Sequence, residues 1–193
     1  MSGLISWITD TVLWMCFGIK ELAVMLVSMV PIIELKGGIP VGLRLGLSQW
    51  ESFLWAFLGS SLVCIPLLLL LPLLFKIPFL KRVENVFREK ADKISPKWKV
   101  LGVFLFAAVP LPGTGVWTSS IVAFVLGFKF WQALLIIITG NLISGLAIVG
   151  LTAILGQAAL DTILFALLIA FVLLLAVFLF KVFKQKDAKN DVR

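Results

Sequence analysis

Apolar residues along this chain fall into long runs broken by prolines, glycines and a few charges, and the lengths of the runs predict the elements. Two runs, 53–75 and 162–180, are long enough to cross a bilayer unaided, since about 20 apolar residues span a hydrocarbon core. A third, 131–155, is apolar but carries Thr139, Asn141, Ser144 and Thr152. Its Gly140 and Ser144 lie one turn apart, the small-xxx-small spacing of a helix packed against other helices. Four shorter runs are interrupted: 22–30 ends at Pro31, 41–47 follows Pro40, 100–109 ends at Pro110, and 116–126 follows PLPGTG. Each is too short to cross alone, so each predicts a half-helix.

Composition turns this pattern into a class. Hydrophobic residues make up 61% of the 193 and charged residues 14%, which excludes a soluble fold because that much apolar surface could not be covered. Histidine is absent, and Cys16 and Cys64 stand far apart in apolar runs, so no metal cluster or disulfide framework is expected and both thiols read as packing residues. No basic stretch precedes the first apolar run, so no cleavable signal is expected.

Charge then sets the orientation. Lys76, Lys81, Arg82, Arg88, Lys90, Lys93, Lys97 and Lys99 crowd into 76–99, and Lys181, Lys184, Lys186, Lys189 and Arg193 into the tail. The positive-inside rule puts both stretches in the cytoplasm. Phe79, Leu80, Val83, Val86, Phe87 and Ile94 recur at helical spacing, which predicts an amphipathic helix on the inner leaflet. The net charge of +7 does not point to nucleic acid, because the basic residues sit at membrane edges and form no separate domain.

Counting crossings outward from the basic loop makes 131–155 and 162–180 one out-and-back pair. The stretch 100–127 must then enter the membrane from inside and return, and 22–47 must do the same from outside. The two stretches also look like copies at a constant offset of 81 residues: Pro31 with Pro112, Val41 with Val122, Leu45 with Leu126, Gly46 with Gly127, Trp50 with Trp131, Leu54 with Leu135 and Gly59 with Gly140. An odd number of crossings separates them, so they would be inverted, the architecture of many secondary transporters.

The chemistry lies at the hairpin tips. The first tip, PIIELKGGIPVGLRLG, puts Glu34, Lys36 and Arg44 in a stretch otherwise apolar enough to enter the bilayer. Charges there are costly and read as functional, the alternative being an ion pair that only fixes the hairpin. Gly37 and Gly38 suit the reversal, and Pro40 suits the first turn of the helix that follows. The second tip, VPLPGTGVWTSS, has no charge but many hydroxyls: Thr114, Thr118 and Ser119 can cap the next half-helix or donate to a ligand, while Pro110, Pro112, Gly113 and Gly115 define the turn. Two helix N-termini meeting near the midplane favour an anionic group, with Lys36 and Arg44 as its partners. Asn141 either adds a polar contact to the site or makes a helix-to-helix hydrogen bond.

The motif ELKGGIPVG with the later VPLPGTGVWTSSIVAFVLG resembles the paired signature of the bacterial and archaeal small multi-drug export protein family. The resemblance covers roughly 20–155 and implies a polytopic inner-membrane protein with an export role. More distantly, the layout resembles the DedA group of lipid-carrier translocases, which have two opposed re-entrant hairpins with acidic and arginine residues near the tips. The second tip here lacks that arginine, so Glu34 and Arg44 are the equivalents in reach.

The expectation is thus an all-α integral membrane protein of one domain, 1–193. It would hold an inverted repeat of two re-entrant helical hairpins, each followed by a transmembrane helix, plus a C-terminal transmembrane helix at 162–180. Repeat one covers about 4–75 and repeat two about 82–155, with the cytoplasmic basic segment at 76–99 and a basic tail at 181–193. Residues 4–19 either span or lie on the outer surface, the repeat favouring the surface. The expected activity is export of a small amphipathic substrate through a prokaryotic plasma membrane. The alternatives are translocation of a phosphate-bearing, phospholipid-like carrier and a scaffold without transport. Two basic residues and two helix N-termini tilt the physical reading towards the anionic lipid, and the family resemblance tilts it towards the drug. No enzyme is expected, given the lack of His, of paired intramembrane acids and of a Gly-x-Ser-x-Gly pattern. No cofactor is expected either; a proton or sodium ion is the candidate coupling ion, and the oligomeric state, a homo-oligomer included, stays open.

Overall fold

The computed structural model describes residues 11–173 apart from 12, 15, 92, 112, 157, 158, 160, 161, 164, 165, 167, 168 and 171. The expected C-terminal span 162–180 and most of 4–19 therefore fall largely outside the described residues, as do the basic tail and Pro112. Within the described residues the chain is helical, with no strand.

Among the described residues, seven helices carry the fold: α1 (Lys20–Met29), α2 (Glu34–Arg44), α3 (Gln49–Leu74), α4 (Pro78–Ala91), α5 (Pro96–Ala108), α6 (Val116–Val125) and α7 (Phe130–Leu155). Among the described residues, α3 and α7 are the two helices long and apolar enough to cross a membrane, each with 26 residues. The four short helices α1, α2, α5 and α6 have 10 to 13 residues, or about 15–20 Å, against a hydrocarbon core of about 30 Å. Each long helix packs on the two short helices that precede it in sequence, α3 on α1 and α2, and α7 on α5 and α6. The long helices pack on each other, and each also touches the other's second short helix, α3 on α6 and α7 on α2.

Corresponding boundaries recur 81 residues apart. Gly46 and Gly127 follow α2 and α6 with φ of 80° and 81°, a left-handed turn that glycine takes without strain. Gly59 fits where a Cβ would lie 2.1 Å from the Met25 carbonyl oxygen on α1, and Gly140 where one would lie 2.6 Å from Ala107 Cβ on α5. Both glycines therefore let a long helix close on its own first short helix. Glu51 Oε2 accepts from Ser48 N at 2.8 Å, closing a capping box with Ser48, and Gln132 Oε1 accepts from Lys129 N at 3.4 Å.

Polarity is distributed the other way round from a soluble protein. Ser28, Ser52, Ser60, Ser119, Ser120 and Ser144 are fully buried, whereas Trp50 is 63% and Trp131 70% exposed. Most of the buried hydroxyls turn back to the carbonyl four residues earlier, as Ser28 does to Val24 at 2.7 Å and Ser60 to Ala56 at 2.9 Å. With large apolar side chains outward along α3 and α7, this is a chain whose solvent is lipid. Cys16 and Cys64 are both buried and unbridged, as packing residues should be. The basic segment holds α4, whose Phe87 is exposed and whose Arg88 donates to the Phe124 carbonyl near the end of α6 at 3.4 Å.

The reversal of the first helix pair differs from the sequence expectation. α2 begins at Glu34, not near Pro40, and Gly37, Gly38 and Pro40 all lie inside it. The reversal falls instead on 31–33, where Ile32 takes φ +77°, followed by Glu34 at +46°. The glycines are needed for proximity: a Cβ on Gly38 would sit 1.9 Å from Ser28 Oγ on α1, and one on Gly37 2.5 Å from Ile33 Cγ2. Pro40 stays helical at the loss of one backbone bond, that to the Lys36 carbonyl, a break that membrane helices tolerate when packed in protein.

Candidate functional site

The two tips meet, and what joins them is the charged pair of the first tip bound to the backbone of the second. α6 starts at Val116 after Gly115, which has no side chain with which to cap. Its first N–H groups are orphans by construction. Glu34, from the other tip, supplies the missing acceptor: its Oε1 accepts from Trp117 N at 3.1 Å. A carboxylate at this end of a helix is also favoured by the helix dipole. Gly115 makes the approach possible, since a Cβ there would lie 1.7 Å from Glu34 Oε2, and its own φ of +144° is one that side-chain-bearing residues rarely adopt.

Lys36, half a turn further along α2, reaches the carbonyl end of the same loop. Its Nζ donates to the Leu111 carbonyl at 2.7 Å, to Thr114 Oγ1 at 3.0 Å and, closely, to the Thr114 carbonyl. An ammonium has three N–H groups, and three acceptors surround this one. Glu34 Oε2 stands 3.9 Å from Lys36 Nζ, so the two buried charges also face each other. Contact runs back the other way through Trp117, whose indole Nε1 donates to the Met29 carbonyl on the first tip at 3.1 Å. Burying two charges in this setting is tolerable only because each is both paired and hydrogen-bonded. Glu34 holds this position with a left-handed backbone, φ +46°, two residues after the β-branched Ile32 at +77°. Backbones of that kind cost about 1–3 kcal/mol each and cluster at functional sites.

The remaining expected residues divide into near and far. Gly113, Thr114 and Gly115 belong to the junction, with Pro110 one residue before Leu111. The hydroxyls do not cap α6: Thr118 Oγ1 donates to the Gly113 carbonyl at 2.7 Å, Thr114 Oγ1 lies 2.8 Å from the Val109 carbonyl, and Ser119 Oγ bonds the Gly115 carbonyl. They hold the second loop in shape. Arg44 is not at the tip. It lies exposed in the last turn of α2, about 15 Å along the helix from Glu34 at 1.5 Å per residue, where a cation suits the carbonyl end of a helix. Asn141 makes the helix-to-helix bond, its Nδ2 donating to Ser60 Oγ at 2.8 Å and Ser61 Oγ at 3.1 Å across α7 and α3.

The expected anion site is thus changed in two ways. The N-terminus of α6 is filled by a carboxylate of the chain itself, and the basic pair that was to hold a phosphate is not assembled, because Lys36 is engaged by carbonyls and Arg44 is remote. Sequence reasoning missed Trp117 and Ser60. Both were visible at the 81-residue offset, which aligns Trp117 with Lys36, a second donor reaching across the tips, and Ser60 with its own partner Asn141.

A family model described as "Putative small multi-drug export protein" matches residues 34–148, from the junction carboxylate through most of α7. No curated protein and no solved structure matches the chain.

Proposed function

The chain belongs to the Putative small multi-drug export protein family, and from that premise we propose that it is a plasma-membrane exporter of small amphipathic molecules. Two inverted repeats would form it, each a re-entrant pair of short helices, α1–α2 and α5–α6, followed by a spanning helix. The equal lengths of α3 and α7 and the matched glycine turns support the repeat. The observation that carries the transport reading is the charged junction: Glu34 and Lys36, 5% and 6% exposed, are held at the meeting of the tips by bonds that span some 80 residues of sequence. A scaffold has no need of strained, charged tips inside an apolar body, whereas an alternating-access carrier needs a polar contact between its halves that can be made and broken.

In this reading Glu34 is the coupling group. Protonating it removes its attraction to Lys36 and weakens its hold on the first turn of α6, so the tips separate and the carrier opens. The test is efflux of an amphipathic cationic dye from proteoliposomes driven by a pH gradient. Glu34→Gln should abolish the gradient-driven component, and Arg44→Ala should retain most of it. Undiminished driven efflux by Glu34→Gln would end the coupling assignment. Orientation is tested by single cysteines in a background without Cys16 and Cys64: one at Ser48 should react with an impermeant thiol reagent applied outside, and one at Asn85 should not. Labelling of Asn85 from outside would overturn the inverted arrangement.

A further inference from the structure

The second tip presents a cradle whose natural guest is a primary ammonium group. Three oxygens converge there, the carbonyls of Leu111 and Thr114 and the hydroxyl of Thr114, with the Glu34 carboxylate 3.9 Å from the nitrogen they surround. Acceptor number matches donor number for R–NH3+. A quaternary ammonium has no N–H to give, and hard metal cations gather about six or more oxygens, twice what this loop offers. The resident ammonium arrives on a flexible stem from the other half of the protein, so it is a tethered guest and not part of the cradle's own fold. Thr114 and Gly113 are only half-buried, and Leu111, Ile32 and Ile33 are exposed apolar side chains on the two tips that meet there.

We infer that this cradle recognises the primary ammonium of a small amphipathic amine, which enters by replacing Lys36 while its apolar tail lies against the exposed side chains of the tips. The inference rests on the export reading for its substrate, but not for its binding chemistry. Displaced, Lys36 keeps Glu34 as its partner, so neither charge is left alone. Replacement removes the Lys36 tie between the tips and leaves those made by Glu34 and Trp117, so substrate entry favours their separation.

The experiment uses the full-length protein in detergent and ethylammonium as the probe. Lys36→Ala empties the cradle and lowers the unfolding midpoint, and millimolar ethylammonium should restore it, whereas tetramethylammonium and sodium should not. Lys36→Met, which fills the stem's space without an ammonium, should stay low throughout. Should Lys36→Ala fail to accumulate in membranes, its yield with and without ethylammonium in the growth medium gives the same reading. Equal loss in both overturns the inference, as does restoration by sodium or tetramethylammonium. With wild-type protein in proteoliposomes, a labelled alkyl primary amine should be carried about ten-fold or more faster than its trimethylated analogue, the discrimination expected for losing charge-assisted hydrogen bonds. Restoration of Lys36→Ala combined with equal transport of the two analogues would make Lys36 a structural tie only and overturn the inference, although the protein would still export. Restoration with no transport of any amine would instead sink the export reading and leave the cradle chemistry standing.

Discussion

The first tip and the second are built from opposite materials. The first carries Glu34 and Lys36, strained backbone at Ile32 and Glu34, and glycines buried in a helix; the second carries no charge, and its glycines sit in the open turn. Their difference is complementary: the first tip supplies side chains, the second supplies backbone. Gly115 stands 81 residues from Glu34, so where one half has a carboxylate the other has the space that receives it. Two halves with matched glycine turns thus differ at the point where they touch, as the proposed inverted repeat requires of a self-complementary junction. If both tips carried the acid, two carboxylates would crowd one place.

The sharpest way to break this complementarity is Gly115→Ala. The added Cβ would collide with Glu34 and the backbone would be forced into a region alanine avoids, together about 4 kcal/mol, enough to unfold or prevent accumulation of a marginal membrane protein. Part of the loss is steric, so adding Glu34→Gly should recover some stability while the backbone strain remains. A double-mutant cycle on unfolding midpoints in mixed micelles measures that coupling. Additive losses would mean that the carboxylate does not occupy the space beside Gly115.

Glu34→Gln comes next. The amide still accepts from Trp117 N, but it leaves Lys36 without its counter-charge in a buried setting, a loss of about 3 kcal/mol. The reciprocal change, Lys36→Met, should cost a similar amount, and the double variant should cost less than the sum of the two. Stability of the single variants indistinguishable from wild type would mean that the pair is wet and shallow.

How far the sequence foretold this follows from what kind of atom does the work. The spans of α3 and α7 were legible because lipid-facing runs are long and one-signed, and the expected 53–75 and 131–155 fall within or beside the observed helices. The start of α2 was not legible. Gly37, Gly38 and Pro40 read as a turn by local chemistry, and only the tight fit of Gly38 against Ser28 explains why the helix runs through them. Partners of Glu34 and Lys36 were illegible for a different reason: they are peptide N–H and C=O groups, present at every residue. Charge alone therefore suggested a ligand, where the structure supplies backbone.

A milder probe asks whether the halves still behave as equals away from the tips. Gly59→Ala meets the Met25 carbonyl and Gly140→Ala meets Ala107 and the Phe104 carbonyl, so each should cost about 2 kcal/mol by overpacking. Matched losses in the two variants would sharpen the comparison. A loss at one position alone would show that only one long helix is tightly seated on its hairpin.

The smallest expected effect tests the proposed two-fold axis. Ser60 and Asn141 are 81 residues apart, the repeat offset, and they are bonded to each other, Asn141 Nδ2 donating to Ser60 Oγ at 2.8 Å. Under the proposed inverted repeat, a residue that touches its own counterpart lies near the axis relating the halves, because a rotation leaves in place only what is on it. Asn141→Ala removes this bond and the one to Ser61 Oγ at 3.1 Å, and should cost about 1 kcal/mol, the scale of hydrogen bonding between membrane helices. Exchanging the two residues, with Ser60→Asn and Asn141→Ser together, should recover most of that, because on an axis the amide can donate from either side. An exchanged protein no more stable than Asn141→Ala would place the pair off the axis. The bond would then be an ordinary contact between α3 and α7, and the equivalence of the two halves would have to rest on the glycines and the turns.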